Sequence, residues 1–344
     1  MVYVFNMYFM YSMYIFTKSL KSANRFNGLP MDQRKLIQHG HSSLTIALPK
    51  KWLDGRKLKK GDHLFVEEEG NKVILTTTQP LKLRNISVDL SELDRTSALL
   101  YIQSLYRFGY DEIEVKFSKS TTKHYRRQKT VTYSSVVHEI VSRLVGAEVV
   151  EETENRILIK YITQDANEDF RIVLRRIFLL LKDTSQSFLD GVKSNNRDLI
   201  STIENKHDNI NNFVNYCLRL LNKYGYPDVK KTSLYFHLIA SIDKIVDVLK
   251  YNARDALNYN KKYHRETIVI LEKIHHSIEL YYNLFYQFDL KKVNELNKNR
   301  DEVKQLIEEK MKIIPHEELI HLAKMVQILE IILDLTDFRM GLEH

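Results

Sequence analysis

Residues 204–221 read ENKHDNINNFVNYCLRLL, and residues 238–255 read LIASIDKIVDVLKYNARD. Both stretches are patterned at the helical period. Ile203, Ile210, Val214, Cys217 and Leu221 recur on one face of the first, and Leu238, Ile242, Ile245 and Leu249 on one face of the second. Each carries two acids at i, i+4: Glu204 with Asp208, and Asp243 with Asp247. That spacing puts both carboxylates of a pair on one side of the helix. At 100° per residue each pair lies ~100–140° from its apolar stripe, so the acids flank the core. If the two helices are neighbours, four carboxylates converge on one surface patch. Hard oxygen donors on facing helices suit a divalent or trivalent metal. The same spacing is also that of a solvated face, with Lys206 and Lys244 near enough to neutralise the acids.

Outward from these helices, the chain from about residue 165 to its end reads as helix. Phe170, Val173, Leu174, Ile177, Phe178 and Leu181 form a preceding stripe, and the Tyr-Gly-Tyr-Pro run at 224–227 ends the second helix. Then the pattern recurs. Leu271, Ile274, Ile278, Tyr281 and Phe285 stripe a fourth helix, and Val293, Leu296, Val303 and Ile307 a fifth. Leu322, Val326, Leu329 and Leu333 stripe a sixth beyond Pro315. Two three-helix units of similar length, 165–258 and 262–340, each with a proline before its third helix, indicate an internal duplication. The second copy has Asn297 before Asp301 and Val326 before Glu330 where the first has acid pairs.

Residues 81–163 alternate strand and helix. NISVDL, DEIEVKF, AEVVEET and NRILIKYI read as strands, and ELDRTSALLYIQSLYRFG and SVVHEIVSRLVG as helices, giving a small α+β spacer with helices on one face. The run SKSTTKHYRRQKT, with five basic residues and no acid, reads as a flexible exposed loop that could also touch DNA or anionic lipid. Residues 31–79 read as a β head. RKLIQH and LTIAL are short strands, PKKWLDG is a helical turn with Pro49 at its first position, and HLFVEEE and KVILTTT form a hairpin around Gly70 and Asn71. About 45 residues are too few for a secure core, so this head is expected to dimerise. Between Lys50 and Lys60 it carries six basic residues against Asp54 alone.

The head resembles the AbrB/MazE/SpoVT swapped-hairpin domain, through LPKKW, LKKGD and the hairpin that follows. In that family two chains interlace, and basic residues of the first strand and short helix face DNA. The resemblance implies that role for Arg34, Lys35, Lys50 and Lys51, with Lys57, Lys59 and Lys60 extending the patch. The alternative is a solvated patch on a head that only dimerises. The helical part resembles PhoU, the phosphate-uptake regulator, with two three-helix repeats and an E/D-x-x-x-D motif on the second and third helices. That resemblance implies a multinuclear iron or zinc site at Glu204, Asp208, Asp243 and Asp247, degraded or absent in the second repeat. The order of parts resembles archaeal PhoU-type regulators. The fold class expected is therefore a multidomain α+β chain: swapped-hairpin head, α+β spacer, and an all-α pair of three-helix bundles. The function implied is phosphate-responsive transcription control. The alternative is an adaptor docking on a phosphate ABC transporter ATPase or a signalling protein, without DNA binding.

The remaining features bound these readings. The chain has 344 residues, 44% hydrophobic and 28% charged, enough for two or three domains with real cores. A net charge of +8 permits a polyanionic partner without requiring one. Cys217 is the only cysteine, which excludes intramolecular disulfides and suits a reducing cytosol. No nucleophile triad, phosphate loop or zinc spacing appears, so a metal-dependent enzyme is disfavoured. An antitoxin is disfavoured by the long bundle. Residues 1–30 read as a poorly structured extension. Their uncharged run MVYVFNMYFMYSMYIFT is short and polar for a span, and it lacks the basic start of a secretory signal. The readings left open are a start at Met31, a membrane-surface anchor and a true span.

Overall fold

The computed structural model describes residues 33–40, 43–69, 72–77, 84–162 and 169–343. The 1–30 extension, the turn at Gly70 and Asn71, and the junction at 163–168 lie outside the described residues. The described chain is mostly helical, with strands confined to its first half. Contacts divide it into two compact units, 1–80 and 81–344. The α+β segment and the helices belong to the same unit.

In the first unit, β1 (Ile37–His39) pairs antiparallel with β2 (Ser43–Thr45), and β3 (Phe65–Glu69) with β4 (Lys72–Thr76). Between them lies α1 (Lys50–Gly55). Pro49 caps this helix from outside rather than occupying its first turn: at φ −61° and ψ 124° it is extended, and its carbonyl accepts from the N–H groups of Trp52 and Leu53. The helix ends when Lys57 takes φ +56°, with the Leu58 N–H donating to the Leu53 carbonyl and the Lys57 N–H to that of Asp54. This is the reverse-turn ending usually given to glycine, so a lysine here carries a backbone cost of roughly 1 kcal/mol. No described residue of this unit is buried.

The second unit opens with β5 (Asn85–Asp89), α2 (Arg95–Phe108), β6 (Glu112–Lys116), β7 (Thr121–His124), β8 (Lys129–Thr132), α3 (Tyr133–Val141), β9 (Ala147–Thr153) and β10 (Arg156–Tyr161). The main sheet runs β5-β6-β10-β9, with β5 parallel to β6 and the other pairs antiparallel. Alternation sorts its faces. Val88, Ile113, Val115, Ile157 and Ile159 face α2 and α3 and are buried. The opposite face carries cross-strand ion pairs, Lys160–Glu112 at 2.8 Å and Arg156–Glu114 at 2.5 Å. Helices on one face is what the pattern predicts. The basic run 118–130 is not a loop. It folds into the β7–β8 hairpin, anchored by buried Thr122 and His124, with the Thr122 hydroxyl donating to the Leu93 carbonyl at 2.7 Å. Its alternation is carried by polar residues, so a hydrophobic pattern does not reveal it.

The helices are α4 (Asp169–Ser194), α5 (Arg197–Tyr224), α6 (Thr232–Asn258), α7 (Arg265–Tyr286), α8 (Leu290–Lys310), α9 (His316–Met325) and α10 (Gln327–Gly341). They share one apolar core, with α4 against α7 and α6 against α10 joining the two halves. The expected sixth helix is divided at Val326 by one tighter turn, with the backbone still right-handed helical there (φ −59°, ψ −25°) and the Val326 N–H donating to the Leu322 carbonyl. Its buried stripe is Leu322, Met325, Ile328, Leu329, Ile332 and Leu335, with Val326 and Leu333 half-buried. Close approach at the α4–α5 turn depends on Gly191, where an added Cβ would meet Ile200 Cγ1 at 2.6 Å. Gly191→Ala is expected to cost about 1–3 kcal/mol in urea denaturation despite alanine's better helix propensity.

Arg219 of α5 fastens the α+β segment to the helices. It is fully buried. Its guanidinium donates to Asp111 at 2.7 Å and to the carbonyls of Tyr110 at 2.6 Å and Tyr106 at 3.1 Å, and lies 3.9 Å from the centre of the Tyr161 ring. Lys223, one turn on, also reaches Asp111 at 2.6 Å.

Candidate functional site

Helices α5 and α6 are packed side by side, so the four sequence-identified acids come to one face of the second unit. Two of them are joined by His207, which sequence reasoning passed over. Its Nδ1 lies 3.0 Å from Asp208 and its Nε2 3.1 Å from Asp247. Lys250 reaches both the ring Nε2, at 2.9 Å, and Asp247, at 2.6 Å. Burial opposes ionisation of Asp247, but hydrogen bonds from His207 and Lys250 outweigh it and hold the carboxyl well below the ordinary range. The His207 hydrogen bond, with the Arg143 charge, lowers Asp208 as well.

The other two acids are bound separately. Glu204 takes the Arg254 guanidinium through two hydrogen bonds, the Nε one at 2.8 Å. Asp243 belongs to a closed polar ring. It accepts from Asn211 at 2.9 Å and Arg107 at 3.3 Å, Asn211 accepts from Asn215, and Asn215 accepts from Arg107 at 2.7 Å. Arg143 pairs with Asp208 at 3.2 Å. Arg107 and Arg143 come from the α+β segment, so that segment supplies counter-charges to the helical acids. No local sequence signal could have linked them. His207, by contrast, was legible as a basic residue inside the ENKHD run.

Each carboxylate is occupied by a cation of the chain, and among the described residues no three His, Cys, Asp or Glu side chains are placed to share an ion. These cations neutralise the acids without a metal. The second half repeats the pattern with different chemistry. Arg300 stands where His207 does in the motif. It donates to Glu330 at 3.1 and 3.0 Å and to Asp301 at 3.0 Å, and Lys304 adds a contact to Glu330 at 2.8 Å. A base bridging an acid of its own helix and an acid of the next is thus present twice. This supports the duplication independently of the apolar stripes.

The bridge makes a pH prediction. Burial alone would lower the His207 pKa, but hydrogen bonds to Asp208 and Asp247 raise it above the ordinary 6.5. A raised folded value contributes stability that is fully present below 6.5 and is lost as pH rises through the folded value. The stability difference between the native chain and His207→Gln is therefore expected to be larger at about pH 5.5 than at about pH 8.5. A difference unchanged across that interval, measured by urea denaturation, would remove the charged bridge from the account.

In the first unit, Arg34, Lys35, Lys50, Lys51, Lys57, Lys59 and Lys60 are all exposed. Lys50 and Lys51 open α1, and Lys57, Lys59 and Lys60 follow its end, so one short helix presents basic residues at both ends. Among the described residues no helix is long and apolar enough to cross a membrane. Comparison of the chain with protein-family models, with curated proteins and with solved structures finds no match.

Proposed function

We propose that this chain is a phosphate-responsive regulator that binds DNA as a homodimer through the 31–79 head, with the helical body as its sensing or docking part. One observation carries the reading. The head leaves its apolar residues uncovered in a single chain: Leu36, Ile37, Leu44, Ile46, Val66 and Val73 are each 51–64% exposed. A β unit with so much bare apolar surface and no buried residue is half of a fold, and a second copy of the same strands is the occupant that the swapped-hairpin resemblance implies. The exposed lysines around α1 then form a doubled basic surface, which attracts the DNA backbone by releasing condensed counterions. The lysine held at positive φ at position 57 fits this reading, since glycine would serve the turn better.

The test is DNA binding by the full chain at several salt concentrations, comparing the native protein with Lys50→Ala/Lys51→Ala. If each lysine neutralises one phosphate, the double variant should bind more weakly and lose up to ~2 units of salt slope per head. A folded, dimeric double variant with unchanged affinity and slope would shift the function to the adaptor reading, in which the head serves dimerisation alone.

A further inference from the structure

A cleft of about 590 Å³ lies where the tip of the β7–β8 hairpin meets the end of α6 and the α9–α10 turn. Its charged lining is Arg126, Arg254, Lys324 and Asp255, so cations outnumber the single carboxylate. Asp255 is satisfied by Lys324 at 2.5 Å, which leaves that ammonium two further donors. Arg254 spends Nε and Nη2 on Glu204, while its Nη1 is buried with no hydrogen-bond partner. Arg126, exposed at the hairpin turn, makes no ion pair with any described residue. A fourth polar atom stands idle. Asn252 is 1% exposed, its amide N–H donates to the Val248 carbonyl at 3.0 Å, and its Oδ1 has no partner.

A buried donor and a buried acceptor left unmade each carry a desolvation penalty of about 1–3 kcal/mol. Both occur in residues that line one cleft. We infer that this cleft binds a small phosphate ester. Three cationic side chains from three separate elements suit a group with three terminal oxygens, and arginine forks match phosphate geometry. The volume falls within the ~300–1,000 Å³ of small-molecule sites and exceeds what a lone phosphate needs. Asn252 Oδ1 leaves an acceptor in the lining for an N–H or O–H group on an organic portion of the occupant. Val248, Leu257 and Tyr251 give that portion an apolar wall. The site is independent of DNA binding by the head, and it bridges the hairpin to the helices, so an occupant would tie these two segments together.

The test uses the full chain in low-salt buffer, with adenosine 5′-monophosphate, inorganic phosphate and adenosine as probes, read by calorimetric titration and by melting temperature. The monophosphate is expected to bind and raise the melting temperature, inorganic phosphate to bind more weakly, and adenosine not to bind. Arg126→Ala, an exposed change with no pair to break, should weaken monophosphate binding about tenfold or more, the loss of a charge-assisted contact. Arg254→Lys should weaken it as well. Equal affinity for phosphate and monophosphate, still lost in Arg126→Ala, would keep the anion cradle and assign it to phosphate itself. No binding of either at millimolar concentration, or binding unchanged in both variants, would overturn the inference.

Discussion

Arg219→Met is expected to lower the stability of the 81–344 unit by about 3 kcal/mol, the lower end of the range for breaking a buried ion pair. Methionine fills similar space with an apolar chain, so the loss comes from what is left behind. Asp111, 5% exposed, keeps only Lys223 and the backbone N–H of Arg84. The carbonyls of Tyr106 and Tyr110 lose a charged donor. Burial pushes the Asp111 carboxyl up, while Lys223, the Arg84 N–H and Arg219 bring it below the ordinary range, so the carboxylate is ionised and needs its partners. Removing the charge at the other end should repair part of the damage: Asp111→Asn/Arg219→Met is expected to be more stable than Arg219→Met alone. Urea denaturation of the single and double variants decides it. A single-variant loss under about 1 kcal/mol would mean that water reaches Asp111 freely enough to replace the guanidinium.

Asp247→Asn is expected to cost nearly as much, about 3 kcal/mol, because it strips the anion from a lysine whose side chain is only 10% exposed and from a histidine at 9%. The duplication supplies a control. Glu330 holds the matching place in the second half but is 45% exposed, so Glu330→Gln should cost about 0–1 kcal/mol although it breaks contacts to both Arg300 and Lys304. The same pair of variants tests the metal reading. Asp247→Asn that keeps its stability, yet loses iron or zinc found by elemental analysis of the native chain, would return the acids to the role of ligands. A loss of stability with no change in metal content supports an ion-paired seam.

The helical half was legible in the sequence because its signal is local. A 3.6-residue apolar period needs only neighbours in the chain to be seen, and Ile203, Ile210, Val214 and Cys217 are all buried as that period predicts. The α+β strands and their single layer of helices were legible for the same reason at period two. A local irregularity was not: nothing in AKMVQILEI announces the tighter turn at Val326, since no proline or glycine stands there. The β7–β8 hairpin was missed because its inward positions are Thr122 and His124, polar residues, and Thr122 finds its partner, the Leu93 carbonyl, only after folding.

The acids of the site were found by spacing, but apart from Lys250, three residues from Asp247, the cations that pair with them lie far along the chain. Glu204, Asp208, Asp243 and Asp247 read as convergent oxygen donors when only α5 and α6 are considered. The fold then brings Arg107 and Arg143 from the α+β segment, and Lys250 and Arg254 from the next turns of α6, onto these same carboxylates. The sequence by itself determined which residues share a helix face and that the head cannot bury its own apolar surface, because both follow from backbone periodicity and chain length. Only the tertiary structure decided that the four acids are ion-paired, that Arg219 and Asp111 lock two segments together, and that Arg126 and Arg254 share a cleft. Coulombic and hydrogen-bond energies depend on distance in space, and pairs separated by more than a hundred residues leave no trace in local pattern.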